Sequence, residues 1–227
     1  MKPFATMAHL CLGVGLLLPV QAATNEMPEA EHADGGTRIG GVHVDSRQRV
    51  LSMDGWVNMQ EGGPVEYLIC GPRGKTHESV FVVEGSVTDL HAAFLLLGVQ
   101  PGQGPTDIGR GQPVGPECLI WVEWEEDGER RRERAESFIL DLRNDKPLPD
   151  TGWVFTGSIM REGRYMATLD QSYVATYWDP WAVINIPLDV GADDTLLLIN
   201  EAATPPEGTP VRIFFELPPP PPREEAE

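Results

Sequence analysis

The chain has 227 residues, with 35 Asp and Glu against 17 Lys and Arg, for a formal net charge of −18. So acidic a surface repels phosphate backbones and anionic headgroups, which argues against nucleic acid or a membrane surface as partner and leaves cationic partners or metal ions compatible.

The opening reads as an export signal. Lys2 supplies a basic start, Ala8–Val20 (AHLCLGVGLLLPV) is an apolar run, and Val20-Gln21-Ala22 fits the small-x-small cleavage pattern. At about 1.5 Å per residue the run is too short for a bilayer core of roughly 30 Å, so no membrane span is expected. Cys11 follows Leu10, where a lipoprotein site wants a small residue. Residues 1–22 are therefore expected to be a signal peptide and the mature chain to begin near Ala23, exported to the periplasm or beyond the cell. Residues 23–38 read as a flexible acidic leader. Residues 39–217 are long enough for one domain with a sizeable core. Residues 218–227 read as a proline-rich, disordered tail. Cys70 and Cys118 either pair in an oxidising compartment or serve as small hydrophobes. Two thiols cannot hold an iron–sulfur cluster or a four-thiolate zinc site by themselves.

Within the domain, strand signals dominate. Cys118–Glu126 alternates, with Cys118, Ile120, Val122 and Trp124 on one face. Asp127-Gly128 then turns the chain back through Glu129–Leu140. Val154–Met160 and Tyr165–Leu169 flank Arg161-Glu162-Gly163-Arg164, a second hairpin. Ser172–Trp178, Thr195–Ile199 and Pro210–Glu216 are further strands. One helix stands out over about residues 87–97: Ser86 is its cap, Leu90, Phe94 and Leu97 form its apolar stripe, and Gly98 stops it. The expected class is α+β, mainly β, an antiparallel hairpin-rich sheet or sandwich with one principal helix.

The stretch GKTHES, 74–79, gathers the most chemistry. Val65–Cys70 precedes it, and Gly71-Pro72-Arg73-Gly74 reads as a four-residue hairpin loop. Pairing Cys70 with Lys75 sets Leu68 opposite His77 and Glu66 opposite Ser79, so that Glu66, Lys75, His77 and Ser79 share a face. Lys75 is one of three lysines in a chain with fourteen arginines. The candidate ligand-binding residues are Lys75, His77, Glu78 and Ser79, with Lys75 and Arg73 suited to an anion. A divalent metal on His77, His91 and Glu66 is the cofactor these residues allow. His77 as general base for Ser79 is disfavoured, because strand spacing sets their β-carbons about 7 Å apart. The plain alternative is a solvated hairpin with cross-strand charge pairs.

VEYLICGPRGKTHESVFV followed by DLHAAFLLLGVQPG, then VEWEEDG, WVFTGS, YVATYWDPWAVIN and EGTPVRI, resembles the YdjY-domain family of exported bacterial proteins. The blocks span roughly residues 40–215 in order. The resemblance implies a single domain, often behind a signal peptide, with no assigned activity. Some relatives are described as ferredoxin-type, but this chain lacks their cysteine runs. The positions carried over are Gly74, Lys75, His77, Glu78 and Ser79, with His91 and Asp179 in later blocks.

Other constellations carry less. Gly104–Gly111 (GPTDIGRG) has Arg110 where a phosphate loop needs Lys. Trp121, Glu123 and Glu125 share a strand face that suits sugars but also suits a half-exposed strand end. Asp189–Asp194 lacks calcium-loop spacing. The function these residues allow is a non-catalytic binding or interaction module for an unknown envelope partner or small ligand; a His77-centred metalloenzyme or hydrolase is the alternative.

Overall fold

Alternation lays down the longest strands. A computed structural model describes residues 31–33 and 36–218; the expected signal peptide, most of the leader and the tail from 219 onward lie outside the described residues. The strands run β1 (Glu31–Ala33), β2 (Gly36–Ile39), β3 (Val42–Asp45), β4 (Val50–Val57), β5 (Tyr67–Cys70) and β6 (Ser79–Val83), before helix α1 (Val87–Leu96). After it come β7 (Glu117–Glu126), β8 (Glu129–Arg134), β9 (Ile139–Asp141), β10 (Lys146–Pro147), β11 (Trp153–Phe155), β12 (Met160–Arg161) and β13 (Arg164–Tyr165). The short helix α2 (Ala167–Asp170), β14 (Ser172–Ala175), β15 (Ile184–Asn185), β16 (Leu197–Ile199) and β17 (Pro210–Glu216) complete the order. Thus β1 and β2, paired as a hairpin, fall largely within the stretch read as leader.

The main sheet is a closed barrel rather than an open sheet or sandwich. Its eight staves run β4-β17-β7-β11-β15-β14-β5-β6, and β6 returns to pair with β4. Closure needs the two backbones to meet closely where Gly55 faces Val83. A Cβ on Gly55 would stand 2.2 Å from the Val82 carbonyl oxygen, so glycine permits the seam. On β4, β7 and β17 inward and outward residues alternate. Leu51 and Met53, Ile120 and Val122, and Ile213 and Phe215 are buried inside. Strands β5, β6, β11, β14 and β15 are buried on both faces.

Aromatic rings close both ends of the interior. The helix is capped as expected, with Ser86 Oγ accepting from Thr88 N at 3.2 Å, and Gly98 ends it at φ 76°. Its buried side carries Leu90 and Phe94. Phe94 stacks on Phe155 at 4.3 Å and meets Phe215 edge-on at 6.3 Å. Phe155 faces inward because Trp153, two residues earlier, sits opposite inward-facing Cys118. At the other mouth Phe138 packs edge-on against Phe81 and Trp124, at 5.1 and 5.9 Å.

Two expected hairpins form, the second with strands of only two residues each: the expected strand Val154–Met160 breaks after Phe155, and Tyr165–Leu169 gives way to helix α2 at Ala167. Asp127-Gly128 and Glu162-Gly163 both hold positive φ, the geometry that matches strand twist. The first return strand stops at Arg134, after which the 3-10 turn Ala135–Phe138 leads the chain into a separate small sheet of β10, β9 and β16.

The third expected hairpin is corrected. Strands β5 and β6 are parallel, with Tyr67 beside Ser79, Ile69 beside Phe81 and Cys70 beside Val82. The Gly71–Gly74 turn is present, with Gly74 N donating to Gly71 O at 2.9 Å. Past it the chain winds through a 3-10 turn, Thr76–Glu78, instead of returning as a strand. The reason lies in the other neighbours: β6 must also pair antiparallel with β4 to close the barrel, and the loop before it is held by Gln171. Strand β14 takes one edge antiparallel, and Gln171 binds Gly71 N through its carbonyl and Arg73 N through its side chain. The chain crosses to the remaining edge and runs in the same direction. None of the expected Cys70/Lys75, Leu68/His77 or Glu66/Ser79 pairs exists.

Candidate ligand-binding site

The crossover still gathers the residues of GKTHES, by another route. Lys75 Nζ donates to Glu66 Oε2 at 2.9 Å and lies 3.7 Å from Glu78 Oε1. Its ammonium also stands 5.1 Å from the centre of the Tyr67 ring. Burial works against the charged lysine, but the hydrogen bond and charge of Glu66, with Glu78 and Asp179, outweigh it and raise its pKa. Glu78 is raised above the ordinary carboxylate range by burial and then by the charge of Glu66; Lys75 and His77 act in the opposite direction.

His77 and Ser79 do not join this cluster as actors. The His77 side chain is 79% exposed, and its recorded partner is Glu78, 3.3 Å away. Ser79 is fully buried and donates to the Lys75 carbonyl at 2.7 Å. It holds the loop in shape, with Asn58 binding the Thr76 and Ser79 carbonyls.

The structure also keeps His77 and His91 apart. His91 lies on α1, with Nδ1 2.6 Å from the Tyr165 hydroxyl and its ring edge-on to Phe155 at 5.3 Å. The expected meeting with His77 and Glu66 does not form, because α1 packs across β2, β3, β14 and α2 rather than over the crossover. Among the described residues no group of three His, Cys, Asp or Glu side chains is arranged to hold a metal ion. Cys70 and Cys118 are both free and buried, and burial pushes the Cys70 thiol up to about 11.

Asp179 is buried behind Lys75. Tyr67 donates to its Oδ2 at 2.7 Å and Trp181 N to its Oδ1 at 2.8 Å. Burial raises its pKa, opposed by Trp181, Tyr67 and Lys75. From Asp179 a polar chain crosses the barrel wall. Asn185 accepts from Asp179 N at 2.9 Å and donates to Thr156 Oγ1 at 3.0 Å. The next residue, Gly157, accepts from the Tyr165 hydroxyl at 3.1 Å, and Tyr165 leads to His91. Tyr67, Thr156 and Asn185 each stand as a polar residue in an apolar run (YLIC, WVFTG, WAVIN), a signal that could have found them. Nothing around Tyr165 distinguishes it in the sequence.

His91 and Tyr165 open onto a groove of about 520 Å³ between α1, the β12–β13 hairpin and α2, with Ala92, Leu95 and Met160 among its walls. Leu95 is 40% exposed and Met160 65%. A second cleft, of about 630 Å³, lies over the outer wall at Asp54, Glu123, Glu125 and Arg212, but both of its arginines are engaged: Arg212 pairs with Asp54 at 2.7 Å and Arg130 with Glu123 at 3.4 Å. Arg132 and Arg134 cover Trp121, at 4.9 and 5.3 Å from its ring. Asp189–Ala192 is a 3-10 turn in which Asp189 meets Arg143.

A family model for the YdjY domain matches residues 42–216. The chain belongs to the YdjY domain family. No curated protein and no solved structure matches it. The match takes in the barrel from β4 to β17, so the Lys75 cluster, the polar chain and the His91 groove all belong to the YdjY domain itself.

Proposed function

We propose that this YdjY domain is an exported, non-catalytic binding module that seats a small ligand in the groove beside His91. Export is supported by the basic, apolar and small-residue succession of residues 1–22. The observation that carries the binding role is the groove itself. An imidazole and a phenol, each tied down by hydrogen bonds, sit against exposed Leu95 and Met160, the combination of apolar walls with few oriented polar groups that small-molecule sites use. The Lys75 cluster serves as an internal brace, since its ammonium is engaged by Glu66, Glu78 and the Tyr67 ring.

The test is a fluorescence titration of the purified chain with N-phenyl-1-naphthylamine, a neutral apolar probe. The expected result is saturable, one-site enhancement that Leu95→Asp abolishes while leaving the circular-dichroism spectrum intact. Enhancement that survives Leu95→Asp, or no saturable binding at all, overturns the seat. Mass spectrometry of the protein recovered from its native cells should give a chain beginning near Ala23 in the exported fraction; a chain that keeps Met1 and is found only in the cytoplasmic fraction counts against export.

A further inference from the structure

The seat offers a ligand one oriented ring nitrogen, and the hydrogen bonds behind it decide what that nitrogen can bind. The Gly157 carbonyl can only accept, so the single hydroxyl hydrogen of Tyr165 goes to it across 3.1 Å. The Tyr165 oxygen is then left to accept from His91 Nδ1, 2.6 Å away, and Nδ1 carries the imidazole hydrogen. Burial holds the His91 pKa below its ordinary value, with the Gly157 carbonyl acting in the other direction, so the ring is neutral at neutral pH. In that neutral tautomer Nε2 presents a lone pair. Tyr165 holds Nδ1, and His91 lines the groove, so Nε2 is the ring nitrogen left to face it.

Charge points the same way as the tautomer. No lining residue of the groove other than the neutral imidazole can carry a charge below the range of tyrosine, and the whole chain stands at −18. A carboxylate seated there would meet a lone pair with its own lone pairs and lose water without gaining a counter-ion. A hydroxyl or amide N–H would give Nε2 its missing donor at little desolvation cost.

We infer that the groove selects uncharged amphiphiles carrying an O–H or N–H donor, with the His91–Tyr165 pair as the specificity determinant. The inference rests on the seat proposed above and adds the class of ligand that fills it.

The experiment compares 1-octanol with octanoate, equal in chain length, as competitors of N-phenyl-1-naphthylamine at pH 7.5. Octanol is expected to displace the probe at a concentration at least about tenfold lower than octanoate. His91→Phe, which keeps an aromatic ring but removes the acceptor, should weaken octanol about fivefold and narrow the ratio. Equal displacement, or a preference for octanoate, overturns the inference while probe binding sensitive to Leu95→Asp leaves the seat standing. Absence of probe binding overturns both. Independently of any variant, nitrogen NMR of the imidazole in the unsubstituted chain should show His91 protonated at Nδ1; an Nε2-protonated ring or an imidazolium at pH 7.5 also overturns it.

Discussion

The Tyr67 hydroxyl donates to Asp179 Oδ2 at 2.7 Å inside the barrel wall, joining strand β5 to a residue 112 positions later in the chain. Both partners are 2% exposed, so water cannot replace the bond. Tyr67→Phe would leave the Asp179 carboxylate short of one of its two donors in a buried site. The expected cost is about 1–3 kcal/mol of unfolding free energy, read by urea denaturation. A loss below about 0.5 kcal/mol would mean that Asp179 finds another donor.

The Lys75 cluster sets a pH dependence whose sign follows from Glu78. Its folded pKa is raised, so the native state binds the proton more tightly than the unfolded chain does. The stability this contributes is present below the unfolded carboxylate pKa, about 4.3, and is lost as pH rises through the folded value. Glu78→Gln should therefore flatten the fall in melting temperature with rising pH just above that range. A parallel curve for Glu78→Gln would contradict the assignment.

Removing the cation should show the same charge imbalance from the other side. Lys75→Met leaves Glu66 and Glu78 facing each other without their shared ammonium. With Lys75 35% exposed, solvent screening limits the loss at neutral pH to about 1 kcal/mol. The loss should shrink on acidification as Glu78 takes up its proton. A deficit that stays constant with pH would assign it to lost packing on Tyr67.

Phe94 carries more of the stability than any exposed residue of its helix. It is fully buried, between Phe155 and Phe215 at the end of the barrel interior. Phe94→Ala is expected to cost about 3–5 kcal/mol. Leu96→Ala on the same helix, at 57% exposure, should cost no more than about 0.5 kcal/mol. Chemical denaturation of the two variants side by side decides it.

Gly74 is fixed by contact rather than by backbone angle. A Cβ there would stand 2.3 Å from the Asp170 carbonyl oxygen, where the crossover rests on the end of α2. Gly74→Ala should lower the melting temperature by several degrees, in line with about 1–3 kcal/mol of steric strain. An unchanged melting temperature would show that the loop can lift from α2 freely.

What the sequence made legible was local. Asp127-Gly128 and Glu162-Gly163 announced their hairpins because two-residue turns demand positive φ, and Ser86 and Gly98 bounded α1 because helix ends need a cap and a stop. The parallel entry of β6 beside β5 was not legible. It depends on β6 pairing antiparallel with β4 to close the barrel, and on Gln171, about a hundred residues away, holding the loop. The same holds for the site. The nearness of Lys75 to Glu66 came out as expected although the expected register did not, since a crossover and a hairpin both bring position 75 back to position 66. The partnership of His91 with Tyr165 depends on how the β12–β13 hairpin folds against α1, which no periodicity encodes.

Strand β17 lies between β4 and β7, paired along seven residues with one and five with the other. It is also the last strand of the domain to leave the ribosome. Until it arrives, the edges of β4 and β7 that it joins lack the partner for their N–H and C=O groups. The barrel therefore cannot complete itself while the chain is still being made, and the incomplete form is the one that chaperones must shield from aggregation. For a chain proposed to be exported, completion of the fold waits on the delivery of its final strand.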